Sequence, residues 1–160
     1  MGCAHGPGGP SDPGLSFVEA RTHFNAWCIV SSPLTLSHDM TNDTISDAIW
    51  PIITNTEALA VSAAWHGFSG SVFGTGGSPS TFQYFYKPVD ASNTAVLLMN
   101  HGASATTFTL SFADVPGLTG SASYKLRDMN AHADIGTFSG TWSTPSLPSH
   151  DSAFIMITAA

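Results

Sequence analysis

The stretch from Leu15 to Met40 limits most strongly what this chain can fold into. Ser16 followed by Glu19 has the spacing of a capping box, in which hydroxyl and carboxylate each satisfy an amide left open at a helix start. Behind it Phe17, Ala20, Phe24, Trp27 and Cys28 recur at helical spacing, so one face is apolar. Ser31-Ser32-Pro33 ends the helix, because proline disfavours the helical conformation for the residue before it. Leu34-Thr35-Leu36 then reads as a short buried strand, with Ser37-His38-Asp39-Met40 as the loop at its end. The product is one helix-to-strand step of an α/β fold.

Upstream, Met1–Gly14 is rich in glycine and proline without periodicity, and reads as loop. Downstream, Asp43–Trp50 has the acidic start suited to a helix N-terminus, and Pro51 either kinks that helix or opens the next turn. Asn55-Thr56-Glu57 interrupts the apolar run and Ala58–Val61 resumes it. From Gly70 the character changes. Ser69–Thr81 is Gly/Ser-rich, a linker or long hairpin. Short β-forming runs follow at Phe82–Tyr86, Ala95–Met99, Phe108–Phe112, Tyr124–Asp128, Gly136–Trp142 and Ala153–Thr158, separated by turn clusters. That rhythm predicts an antiparallel β-sandwich.

Composition removes several classes of function. The 160 residues suffice for one domain, or for a small domain plus a fragment of another, and 42% hydrophobic content supports a packed core. With a net charge of −7 and only Arg21, Lys87, Lys125 and Arg127 basic, the chain lacks the clustered cations that nucleic acid requires. The same deficit disfavours anionic membranes, and no run approaches the roughly 18 apolar residues of a membrane span. Cys3 and Cys28 can pair only with Cα atoms within about 7 Å; the place of Cys28 on the apolar helix face reads as a buried thiol. Seven histidines do not make a metal site, because His132, Asp134 and His150 lack ligand spacing. No cofactor is implied.

The run GLSFVEARTHFNAWCIVSSPLTLSHDM (Gly14–Met40) resembles the seventh helix and eighth strand of the (β/α)8 barrel in glycoside hydrolase family 27, the α-galactosidase or melibiase group. Ile53–Val61 resembles the family's "ILTN.EVIAV", Tyr84–Val89 its "W.KPL" and Ala95–Asn100 its "AVALLN". Arg127–Met129, Gly136–Phe138 and Ser149–Asp151 resemble its "VRDLW….LG.F…..PH" ending. Gly6–Pro13 is similar to "GPGGWNDPDML.VGN", but Pro10 replaces the tryptophan and the rest of that loop is missing after Pro13. Where the family reads "NQD.LG.QG", Ser62–Gly70 has lost two polar side chains to alanine, so a looser junction is expected.

The resemblance implies an α+β, mainly β fold: a partial (β/α)8 barrel remnant of helix, strand and helix over residues 1–67, then a Greek-key-like antiparallel β-sandwich over residues 68–160. It also implies hydrolysis of terminal α-galactosides. A retaining glycosidase needs two carboxyls roughly 5 Å apart, and the family's two aspartates belong to earlier barrel strands that no residue here matches. The catalytic set expected of this chain is therefore empty. Asp12 alone aligns near the sugar pocket, where it is the candidate substrate contact, set against the favoured reading as a turn former before proline. Asp39 reads as a cap, Arg21 and His23 as salt-bridging or capping residues, and Arg127-Asp128 as a local ion pair.

Ser16, Glu19, Phe24 and Trp27 are the expected structural residues. Tyr84, Phe85, Tyr86, Phe138 and Trp142 are candidates for stacking on sugar, set against plain core packing. In isolation the face carrying Phe17, Phe24 and Trp27 is expected to meet water and to drive self-association. The expected partner is an α-galactoside-type carbohydrate once the missing barrel is supplied. A non-catalytic carbohydrate-binding or interaction module, and a piece of a longer product, stand as alternative readings. The family is commonly secreted or lysosomal, and no signal peptide is visible.

Overall fold

The computed structural model describes residues 14–74 and 82–160. Three helices come first: α1 (Phe17–Ile29), α2 (Asp43–Ile53) and α3 (Thr56–Ala63). Strands follow: β1 (Ser71–Val72), β2 (Phe82–Pro88), β3 (Asn93–Asn100), β4 (Thr109–Ser111), β5 (Ser123–Asp128), β6 (Ala133–Ser139), β7 (Thr141–Ser143) and β8 (Ser152–Ala159). A six-stranded antiparallel sheet runs β1-β2-β3-β8-β5-β6, and β4 pairs with β7 in a second, two-stranded sheet.

Helix α1 starts as its sequence predicts. Ser16 is the N-cap, its hydroxyl accepting from Glu19 N, while the Glu19 carboxylate accepts from Ser16 N at 2.9 Å. The helix ends just before Ser31, which takes a left-handed φ of 56°. Asn42 caps α2, and Pro51 lies within that helix. Asn55 caps α3 by accepting from Glu57 N and Ala58 N.

The centre of the large sheet, β3 with β8, is buried on both faces, which accounts for the near-continuous apolar run of β3. Side chains alternate across a strand. On β3, Ala95 and Leu97 join Phe154 of β8 and Phe24, Cys28 and Ile29 of α1 in one core. Val96 and Leu98 point the other way, to Ile155, Ile157, Leu110 and Trp142 in the core between the sheets. The layers are therefore helices, large sheet, small sheet. Gly140, at a left-handed φ of 74°, separates β6 from β7, where the chain passes from one sheet to the other. Gly70 sits against α1: its N donates to Ile29 O at 3.0 Å, and a Cβ there would lie 2.1 Å from that oxygen.

Several expectations change. Leu34–Leu36 forms no strand, and Leu36 is exposed, because a strand needs a partner and no described strand lies beside it. Between Phe17 and Ala63 the order is helix, loop, helix, helix rather than helix, strand, helix. Phe24 is 2% exposed, since the large sheet offers an apolar face to α1, whereas Phe17 stays 49% exposed. Of the two readings of Ser69–Thr81, linker or long hairpin, the antiparallel pairing of β1 with Phe85 and Tyr86 of β2 favours the hairpin.

Candidate functional site

One face of α1 carries Arg21, Thr22 and Asn25, and all three reach the sandwich. Arg21 Nη2 donates to Asp151 Oδ1 at 2.7 Å. Thr22 Oγ1 donates to Ser152 Oγ at 3.0 Å, and Asn25 Nδ2 to Asn130 Oδ1 at 3.1 Å. Behind this row, Asn55 Nδ2 donates to Met129 O at 2.9 Å, so the α3 cap also holds the β5–β6 turn.

Two further fastenings flank it. Lys87 on β2 is fully buried; its ammonium donates to Ser31 Oγ at 2.7 Å and to the carbonyl of Val61 near the end of α3. Burial pushes the pKa of Lys87 down. Glu57 receives Arg127 Nε and Nη2, and these hydrogen bonds hold its carboxyl below the ordinary range. Arg127 also donates to Asp134 at 2.9 Å. Asp128 takes no part in that pairing: its Oδ1 accepts from Asn130 N and Ala131 N, a turn cap. His132 and His150 both sit at left-handed φ, and each presents Nδ1 to a glutamate near a helix start, Glu57 at 2.8 Å and Glu19 at 3.2 Å.

Two hollows border this junction. One, of about 330 Å³, lies between α1 and the end of β3, bounded by Leu15, Glu19, His23, Met99, His101 and His150. Trp27 Nε1 donates to His23 Nε2 at 2.6 Å, and burial pushes the His23 pKa down. The other, of about 620 Å³, lies between Arg21, the β5–β6 turn and the segment after β7, with Trp142 and Leu147 in its wall. It holds two carboxylates, Asp128 and Asp151, engaged as a turn cap and as the partner of Arg21. Among the described residues no His, Cys, Asp and Glu group has the arrangement of a cation site.

The residues singled out from sequence fall as follows. Asp12 and Cys3 lie outside the described residues. Cys28 is free and buried, and burial pushes its thiol up to about 12. Asp39 accepts from Thr41 N at 2.9 Å, a local turn, while the α2 cap falls to Asn42. Tyr84 and Tyr86 pack beside Phe73, Phe85 faces the helices, and Trp142 is 6% exposed, so these aromatics serve the cores. Lys87, Asn25 and Glu57 went unmarked in the sequence, although a lone lysine inside a β-forming run is a signal in retrospect.

The described residues form an antiparallel sandwich with helices fastened to one face of its large sheet by polar side-chain bonds. A model of the α-galactosidase C-terminal β-sandwich domain matches residues 79–157. The chain is 30% identical over 145 residues to the α-galactosidase of Coffea arabica, a match covering 91% of this chain and 36% of that one. Among solved structures, α-galactosidase I from Mortierella vinacea aligns with a TM-score of 0.78 at 24% identity, over 95% of this chain and 39% of its own. A family 27 β-L-arabinopyranosidase from Geobacillus stearothermophilus aligns at 0.80 and 21% identity, over 100% of this chain and 35% of its own. The chain belongs to the α-galactosidase (melibiase) family, glycoside hydrolase family 27, and corresponds to its C-terminal portion. It spans about a third of the length of the curated relatives it matches.

Proposed function

We propose that this chain is the supporting C-terminal part of an α-galactosidase-type retaining glycosidase, and that hydrolysis of terminal α-galactosides requires a barrel whose catalytic carboxyls this chain does not supply. The match to α-galactosidases across 91% of this chain but 36% of the coffee enzyme carries this reading. Asp128 and Asp151 support it through their structural roles, each holding a turn or Arg21 through Oδ1. Residues 1–67 are read as barrel remnant and residues 68–160 as sandwich.

The exposed apolar side chains of the helical layer, Leu15, Phe17, Met40 and Trp50, mark the face against which the rest of a barrel would pack. Without that cover the same face favours self-association, readable as a concentration-dependent mass in analytical ultracentrifugation.

The test is turnover of p-nitrophenyl α-galactoside. The 160-residue chain is expected to show none, and a chimera joining it behind the N-terminal barrel portion of the coffee enzyme is expected to show activity. Turnover by the chain alone, abolished by Asp128→Asn or Asp151→Asn, would overturn the reading.

A further inference from the structure

We propose that the cleft between Arg21, Trp142 and the β5–β6 turn binds a neutral saccharide. Its volume of about 620 Å³ lies within the range of small-molecule sites. Trp142 and Leu147 give it an apolar wall, and Arg21, Asp128, Asn130 and Asp151 a polar one.

The polar groups are only half used. Arg21 spends Nη2 on Asp151, and its Nε is buried out of a ligand's reach. Asp128 engages Oδ1 with Asn130 N at 2.9 Å and Ala131 N at 3.0 Å; Asp151 engages Oδ1 with Arg21 and with Ser152 N at 2.7 Å. Oδ2 of each carboxylate has no hydrogen bond among the described residues, and neither has Trp142 Nε1 nor Asn130 Nδ2. Unused donors and unused acceptors therefore belong to residues that line one hollow.

That mixture selects the ligand class. Two carboxylates against one guanidinium disfavour an anion. An ammonium ligand has donors only, and would leave Asn130 Nδ2 and Trp142 Nε1 unanswered. A sugar hydroxyl donates and accepts at one atom, and a pyranose turns a C–H face toward an apolar wall. A neutral polyol ring meets every condition together.

Calorimetric titration of the full chain with methyl α-galactoside, methyl α-glucoside and melibiose tests the inference, with spermidine and inorganic phosphate as charged probes. At least one of the three saccharides is expected to bind saturably with a Kd of about 1 mM or tighter. Ser146→Trp, at an exposed position on the rim, fills the hollow, and Asp128→Asn removes a carboxylate while keeping Oδ1 for the turn. Each should weaken binding about tenfold or more, with far-UV circular dichroism unchanged. Absence of binding by all three saccharides, affinity unaltered in both variants, or tighter binding of either charged probe would each overturn the proposal. None of these readings depends on glycosidase turnover.

Discussion

Arg127 on β5 reaches the carboxylate of Glu57 at the start of α3 through both Nε and Nη2, at 2.8 and 2.9 Å. This fork joins the helical layer to the sheet across 70 positions of sequence. The guanidinium favours the ionised carboxylate, so Glu57 holds its charge to lower pH in the folded chain than in the unfolded one. The stabilisation is complete above the unfolded carboxylate range, and is lost as pH falls through the lower folded value. Glu57→Gln is expected to lower Tm at neutral pH by about 2–4 °C. The gap to the parent should close as pH drops below that folded value, measured by thermal melts across acid pH. A gap that persists in acid would count against the fork.

Lys87 is the next test. Its ammonium supplies donors to Ser31 and to the carbonyl of Val61 inside a closed core. Lys87→Met keeps the stem and leaves those acceptors unanswered, at an expected cost of about 1–3 kcal/mol. Lys87→Ala adds a cavity, for about 2 kcal/mol more. Urea unfolding of both variants reads the ordering directly.

Gly70 has no room for a side chain. Alanine there would bring its Cβ to 2.1 Å from Ile29 O, so the approach of α1 to β1 must open. Gly70→Ala is expected to destabilise by more than about 1 kcal/mol. Gly67, with a left-handed φ of 95° and open space around it, tests strain without contact, and Gly67→Ala should cost less.

Phe24 and Phe17 separate core from surface on a single helix. Phe24→Ala is expected to cost about 3–5 kcal/mol in unfolding free energy. Phe17→Ser, at a half-exposed position, should leave stability within about 0.5 kcal/mol and reduce self-association in sedimentation runs.

The thiol of Cys28 gives a chemical readout of the same core. Burial pushes its pKa up to about 12, so the thiolate is scarce at mild pH. Peptide mapping after iodoacetamide treatment should find Cys28 unmodified in the native chain and labelled in urea. Equal labelling in both conditions would place the thiol at the surface instead.

What could be read from the sequence was local. The Ser16–Glu19 capping box, the stop before Pro33 and the β runs of the sandwich each depend on neighbours a few residues away, and each formed, save that the Gly136–Trp142 run divides at Gly140 into β6 and β7. Leu34–Leu36 had a strand's composition, but its pairing depends on segments with no trace in those three residues. Arg127 and Asp128 are consecutive in a strand and therefore project to opposite faces, so the pair expected between them gave way to Glu57 and Asp134. The cleft beside Trp142 gathers Arg21, the Asp128–Ala131 turn and Ser143–Leu147 from three distant stretches. No spacing along the chain announces it.

Because Ala95, Leu97 and Phe154 press against α1 while Val96, Leu98 and Ile155 press against the small sheet, neither layer can be trimmed away cleanly. The boundary of the matched sandwich domain at residue 79 marks a unit of descent; the unit that survives excision is larger. An expression boundary set there would uncover a greasy plane along β3 and β8, and the shortest soluble version of this protein has to carry its helices with it.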